Sequence, residues 1–228
     1  MAVNESRTFS IEFIGSTAEE VVNEVYVDGY TEKEQHVWNQ ASWTVDITHA
    51  RYDLLDAVDE GLVDAESRGT GYCAGDCIKL RITPKLEFTI DVEITPGLIL
   101  INSGSGQNMI VAEARIVTVK PGVELDFDIE AYCLDSHKDN PSSKETLSMQ
   151  TDPGPYEEDV VTLMESLEGV PSAQKSIGAA QIALWVITDD ISKEDIRINY
   201  STGDIEDAKW LLENAGIDTS GQRLFAGA

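Results

Sequence analysis

The stretch from Ile78 to Cys133 constrains the fold of this chain more than any other. Ile78, Leu80 and Ile82 alternate with Lys79, Arg81 and Thr83 before Pro84 interrupts. Phe88, Ile90, Val92 and Ile94 alternate with Glu87, Thr89, Asp91 and Glu93 up to Pro96-Gly97. Leu98 to Ile101 is a short apolar run closed by Asn102-Ser103-Gly104-Ser105-Gly106, and Met109 to Val119 follows before the Pro121-Gly122 turn. Val123, Leu125, Phe127, Ile129, Ala131 and Cys133 then share one face, opposed by Glu124, Asp126, Asp128 and Glu130. A period of two sends alternate side chains to one buried face. Strands at this spacing, broken by Pro and Gly turns, predict an antiparallel β-sandwich or barrel.

The flanks read differently. Phe9, Ile11 and Phe13 predict a strand, Thr8 to Ile14, that ends at Gly15; Val21 to Val27 and Trp43 to Ile47 are further strands, and Thr31 to Gln40 is polar without a period. Over 52–66, Tyr52, Leu54, Leu55, Val58 and Leu62 predict a helix closed by Gly69-Thr70-Gly71. After residue 150 the period becomes helical. Asp152 is placed to cap a helix begun by Pro153 to Pro155, with Val160, Leu163, Met164 and Leu167 as its apolar stripe and Gly169 as its stop. A second helix is expected from about Ser172 to Ile187. A third starts at Asp204, carries Ala208, Leu211, Leu212 and Ala215, and ends at Gly216. The expected class is α+β in a single domain over 1–228. It comprises an irregular α/β portion (1–70), a β-core (71–150) and three helices (151–228) packed on that core.

Charge narrows the partners. Asp and Glu number 42 against 16 Lys and Arg, a formal net charge of −26. Phosphate backbones need a Lys/Arg surface, so nucleic acid is not expected as a partner. Anionic lipid is disfavoured for the same reason. Residues 1–20 lack a basic segment followed by an apolar one, and no apolar run reaches the ~18 residues of a membrane span. A soluble chain without membrane insertion is expected.

Chemistry centres on Cys133, in Ala131-Tyr132-Cys133-Leu134-Asp135-Ser136-His137. Its strand phase points it inward, where a cysteine also serves as a small inert hydrophobe. The polar residues that follow, Asp135, His137, Lys138, Asp139 and Asn140, put it at a strand end where loops deliver chemistry. His137, four residues on, is placed to lower the thiol pKa if the loop folds back, and to accept a proton. Gln181 lies in the apolar helix segment Ala179 to Ile187, one turn before Trp185. A helix that apolar is largely buried, and a buried amide must find partners.

These segments resemble the thioester domains of prokaryotic cell-surface adhesins. Tyr132-Cys133-Leu134-Asp135 is similar to their aromatic-Cys-aliphatic-polar motif. Ala180-Gln181-Ile182-Ala183-Leu184-Trp185 is similar to their Thr-Gln-x-Ala-aliphatic-Trp helix, with Ala180 in place of Thr. Gly221-Gln222-Arg223-Leu224-Phe225 fits their C-terminal glutamine motif except at Gly221. The resemblance covers roughly residues 120–228. It implies a thioester between Cys133 and Gln222, with Gln181 in support, although the sequence leaves Gln181 open as the partner. It further implies covalent attachment to an amine-bearing ligand on a host or neighbouring-cell surface. Location would then be extracellular or at the cell surface, with signal and anchor lying outside this sequence; a chain complete as it stands would be cytoplasmic. The alternative is a non-catalytic surface-layer or filament module that self-assembles by strand pairing through Thr8 to Ile14.

Other chemistries fit less well. Cys73 and Cys77 suit a local disulfide or two free thiols better than zinc, since no second Cys/His pair lies near. Cys133 and His137 have no methionine at blue-copper spacing. The carboxylates around Asp189-Asp190, Glu194-Asp195 and Asp204 match no calcium loop. Gly104-x-Gly106 lacks the context of a phosphate loop. No cofactor, no metal and no conventional enzymatic constellation is expected.

Overall fold

The computed structural model describes residues 20–30, 36–46, 49–152, 156 and 158–226, the first two segments as backbone. The strand expected at Thr8 to Ile14 and the helix start at Pro153 to Pro155 lie outside these residues.

Strands β1 (Glu20–Tyr30) and β2 (His36–Asp46) pair antiparallel, from Glu20↔Asp46 to Tyr30↔His36. Strand β3 (Ala50–Asp53) leads directly into the short helix α1 (Leu54–Asp59), where the Asp53 side chain accepts from Leu55 N at 2.8 Å as N-cap. Next come β4 (Val63–Gly69), β5 (Ala74–Pro84), β6 (Ile90–Ile94), β7 (Ile99–Asn102), β8 (Met109–Val111), β9 (Arg115–Val119), β10 (Leu125–Cys133) and β11 (Thr146–Gln150). Six strands close a barrel in the order β10-β5-β4-β11-β7-β8, while β3, β6 and β9 form a separate sheet. All pairings are antiparallel except β3–β6. The class is α+β, with mostly antiparallel strands.

Alternation explains the best-defined edge of the barrel. On β5, Ile78, Leu80 and Ile82 are fully buried, and Lys79 and Arg81 face water. The register Lys79↔Asp128 and Arg81↔Asp126 brings opposite charges across the strand pair, with Lys79 Nζ 3.0 Å from Asp128 and Arg81 Nη2 3.0 Å from Asp126. A β-bulge then interrupts the ladder between Ile129 and Glu130, leaving Cys77 as the unpaired extra residue on β5. Beyond it Ala131, Tyr132 and Cys133 are all buried.

Three expectations are corrected. The segment 52–66 is helical only over α1 and otherwise strand: Gly61 at φ 71° ends the helix, and β4 completes the barrel between β5 and β11. Met109 to Val119 is two strands in different sheets, with β8 in the barrel and β9 on β6. Val123, expected on the core face, is 50% exposed and precedes β10.

The helices follow their predicted stripes. In α2 (Glu158–Ser166) Val160, Leu163 and Met164 are buried, and Gly169 turns the chain at φ 82°. Helix α3 (Ile177–Asp189), capped by Ser176, buries every residue from Ala179 to Val186. It packs against β10, β5, α4 (Thr202–Asn214) and α2, which accounts for a helix apolar all round. Among the described residues no helix is long and apolar enough to cross a membrane.

Candidate functional site

The β10–β8 ladder explains what happens at Cys133. Ala112 N donates to Glu130 O, and Leu134 N donates to Asn108 O, so these alternate residues turn their peptide groups toward β8. Cys133 therefore turns its own N–H and C=O toward β5, which ends at Ala74 opposite Tyr132. The Gln181 carboxamide stands where a further β5 peptide would be. Its Oε1 accepts from Cys133 N at 2.9 Å and its Nε2 donates to Cys133 O at 2.8 Å. The side chain is fully buried and satisfied at both ends.

The thiol itself sits among soft and polar groups. Cys133 is fully buried, with Sγ 3.3 Å from Met109 Sδ and 3.9 Å from Asn140 Oδ1. Met109 is its register partner on β8. Burial, then the neighbouring Cys73 thiol, pushes the Cys133 pKa up, the direction opposite to activation by His137. His137 is exposed, its backbone N–H donates to Asp135 Oδ1 at 2.9 Å, and the Cys133 hydrogen bonds go to other residues. Burial works against the Asp135 carboxylate, but Lys138 at 2.9 Å and the His137 N–H hold its pKa low.

A second carboxamide pair roofs the thiol. Gln107, 1% exposed, donates through Nε2 to Asn140 Oδ1 at 3.0 Å and accepts from Asp135 N at 3.3 Å. Asn140 Nδ2 reaches Gly71 O at 3.0 Å, and Gly71 N donates to Pro141 O. Gly69 packs so closely beneath this loop that a Cβ there would lie 2.0 Å from Pro141 O.

Gln222 is placed elsewhere. With its carboxamide oriented to satisfy both ends, it donates to Val186 O at 3.3 Å and Asp190 Oδ1 at 3.0 Å. It lines an open groove of about 460 Å³ with Asp159, Asp190 and Asp218, toward the C-terminal end of α3. The structure brings Cys133 and Gln181 together and does not bring Gln222 or His137 to them. The Trp185 indole, expected beside the amide, is 2% exposed with its Nε1 unpartnered among the described residues.

Sequence reasoning missed three participants. Cys73 donates through Sγ to Gln181 Oε1 at 3.4 Å, whereas Cys77, its expected partner, donates to Ala131 O at 3.1 Å. All three cysteines are free thiols. Gln107 hides in a Gly/Ser-rich turn that reads as punctuation, and Met109 reads as core. Among the described residues no three His, Cys, Asp or Glu side chains converge on a metal position. Searches of protein-family models, curated proteins and solved structures find no match to this chain.

Proposed function

We propose that this chain is a non-enzymatic binding domain of the cell surface. In this reading it stores an acyl electrophile as a thioester between Cys133 and Gln181, and spends it once on an amine borne by a surface ligand. The observation that carries the reading is the Gln181 carboxamide held on the backbone of Cys133. A strand side chain leaves the sheet roughly perpendicular, so the Cys133 sulfur stands off the plane of that amide, the side from which a nucleophile attacks a carbonyl. The Cys133 N–H on Oε1 supports the charge that develops on the oxygen during attack.

The chemistry balances without a cofactor. The sulfur bonds to Gln181 Cδ, and ammonia leaves from Nε2 carrying the thiol proton. Later a ligand amine bonds to the same carbon, and the sulfur leaves as the thiol with a proton from the amine. Exclusion of water preserves the intermediate, and the roof formed by Gln107, Asn140 and Pro141 over the buried thiol supports that role. The acidic surface suits a cationic amine on approach.

Intact-mass spectrometry tests the proposal. The expected protein is lighter than its sequence by one ammonia, has Cys133 blocked to alkylation, and yields a cross-linked peptide joining Cys133 to Gln181. Methylamine should add to Gln181 and free the thiol, and C133A should restore the full mass. A full-mass protein whose Cys133 alkylates once unfolded would overturn the reading, and a cross-link to Gln222 or Gln107 would overturn the choice of glutamine.

A further inference from the structure

We infer that Cys73 and Cys133 form a dithiol modification site that takes a low-molecular-weight disulfide and closes to an intramolecular Cys73–Cys133 bond. Three placements support the pairing. The β5–β10 register runs Asp76↔Glu130, Gly75↔Ala131 and ends at Ala74↔Tyr132, and Cys73 and Cys133 are each one residue beyond that last pair. The Cys73 thiol and the Cys133 N–H also share one acceptor, Gln181 Oε1, at 3.4 Å and 2.9 Å. The two thiols, moreover, lie near enough for Cys73 to act on Cys133 electrostatically.

The alternative pairing is poorly placed. Cys77 occupies the bulge, is fully buried and donates to Ala131 O at 3.1 Å, away from the acceptor Cys73 uses. Cys73 immediately precedes β5, the strand that carries Cys77, so the two cannot face each other across a ladder.

The pair is asymmetric in access, and that sets the order of events. Cys73 is partly exposed beside Tyr72, which is 69% exposed, while Cys133 is fully buried. Cys73 as thiolate attacks one sulfur of the external disulfide, forming a mixed disulfide and releasing one thiol. Cys133 then gives up its proton and attacks the Cys73 sulfur, expelling the second thiol. Two protein thiols are oxidised, the external disulfide is reduced to two thiols, and the protein loses two hydrogens. The site shares Cys133 with the proposed thioester, so oxidation would hold that thiol away from the glutamine. The pairing itself stands on geometry that does not require the thioester.

The test uses the full chain, treated first with methylamine so that any thioester is opened, then equilibrated in glutathione buffers of rising oxidised fraction. Free thiols are trapped by alkylation and the products mapped by peptide mass spectrometry. The expected product has lost two hydrogens, carries a Cys73–Cys133 cross-link, and leaves Cys77 alkylated only after unfolding. C133S should trap glutathione on Cys73, C73S should take up none, and C77A should cross-link as the parent does. A Cys73–Cys77 bond, a wild-type protein that stops at glutathionylated Cys73, or no oxidation under the most oxidising buffer would each overturn the inference. Ammonia loss is read before methylamine treatment, so failure of the thioester and failure of the dithiol are separate results.

Discussion

At the scale of single residues, Gln181 does the work of a missing strand. Its amide satisfies the N–H and C=O that Cys133 exposes where β5 ends. Removing it leaves both groups buried and unpaired, at roughly 1–3 kcal/mol each. Gln181→Met keeps the volume and should still lower the unfolding free energy by about 2–5 kcal/mol in urea titrations. A loss under about 1 kcal/mol would show that water replaces the amide. The thiols predict a second effect. Burial first, then Cys73, raises the pKa of both Cys77 and Cys133 above the ordinary thiol value. The folded state then keeps protons that the unfolded chain sheds. With Cys133 as the free thiol, stability is therefore full below about pH 8.5 and falls as pH rises beyond it, by about 1.4 kcal/mol per pH unit for each thiol. Buried Tyr132, also raised by burial, steepens the fall above about pH 10. Cys77→Ala should flatten the slope between about pH 9 and 10 by one thiol's share, as read from urea midpoints across pH. Cys133 and Gln181 were legible in the sequence because each sits in a period that fixes burial. Gln222 was not, because a local motif does not say to which end of α3 the chain returns.

At the scale of elements, local pattern succeeded where one period ran unbroken and failed where an element was short. Helix stripes such as Val160, Leu163, Met164 survived intact, as did the β5 alternation from Ile78 to Ile82, whereas the β10 alternation holds only up to the bulge at Ile129. Residues 52–66 misled because a six-residue helix flanked by two strands places apolar residues at spacings that mimic one long helix. Strand β11 escaped notice because Leu147 is its only fully buried residue, and its place between β4 and β7 is a long-range fact. The loop over Cys133 is held by a contact of the same long-range kind. Gly69 accepts no Cβ without displacing Pro141, which is backbone and cannot swing aside. Gly69→Ala should therefore lift the 135–145 loop and speed native-state alkylation of Cys133 in a C73S, C77A background by about tenfold or more, the equivalent of about 1.4 kcal/mol of easier opening. If the protein is first opened with methylamine, an unchanged rate would show that the thiol is reached by another route.

At the scale of the whole molecule, charge opposes the fold. With a formal net charge of −26, like charges repel across the surface. Several of the described cations are drawn into local pairs, most densely where Lys79 and Arg81 meet Glu124, Asp126 and Asp128 across β5 and β10. These pairs are exposed and individually weak, so two opposing responses to salt compete. Screening relieves long-range repulsion and also weakens the pairs, and the Debye length shrinks from about 10 Å at 0.1 M to about 3 Å at 1 M. Carboxylates exceed basic side chains by more than two to one, so repulsion should dominate. Thermal unfolding should then move to higher temperature as potassium chloride rises from 0.05 to about 1 M, a chloride salt being chosen because sulfate also strengthens apolar burial. Lys79→Ala removes the cation that bridges Asp126 and Asp128, and its destabilisation should be largest at low salt and shrink as salt rises. A midpoint that falls with salt in the parent protein would mean that the β5–β10 ion pairs outweigh the repulsion of the whole surface. The β5–β10 edge would then be held as much by charge as by the buried Ile78, Leu80 and Ile82 beneath it.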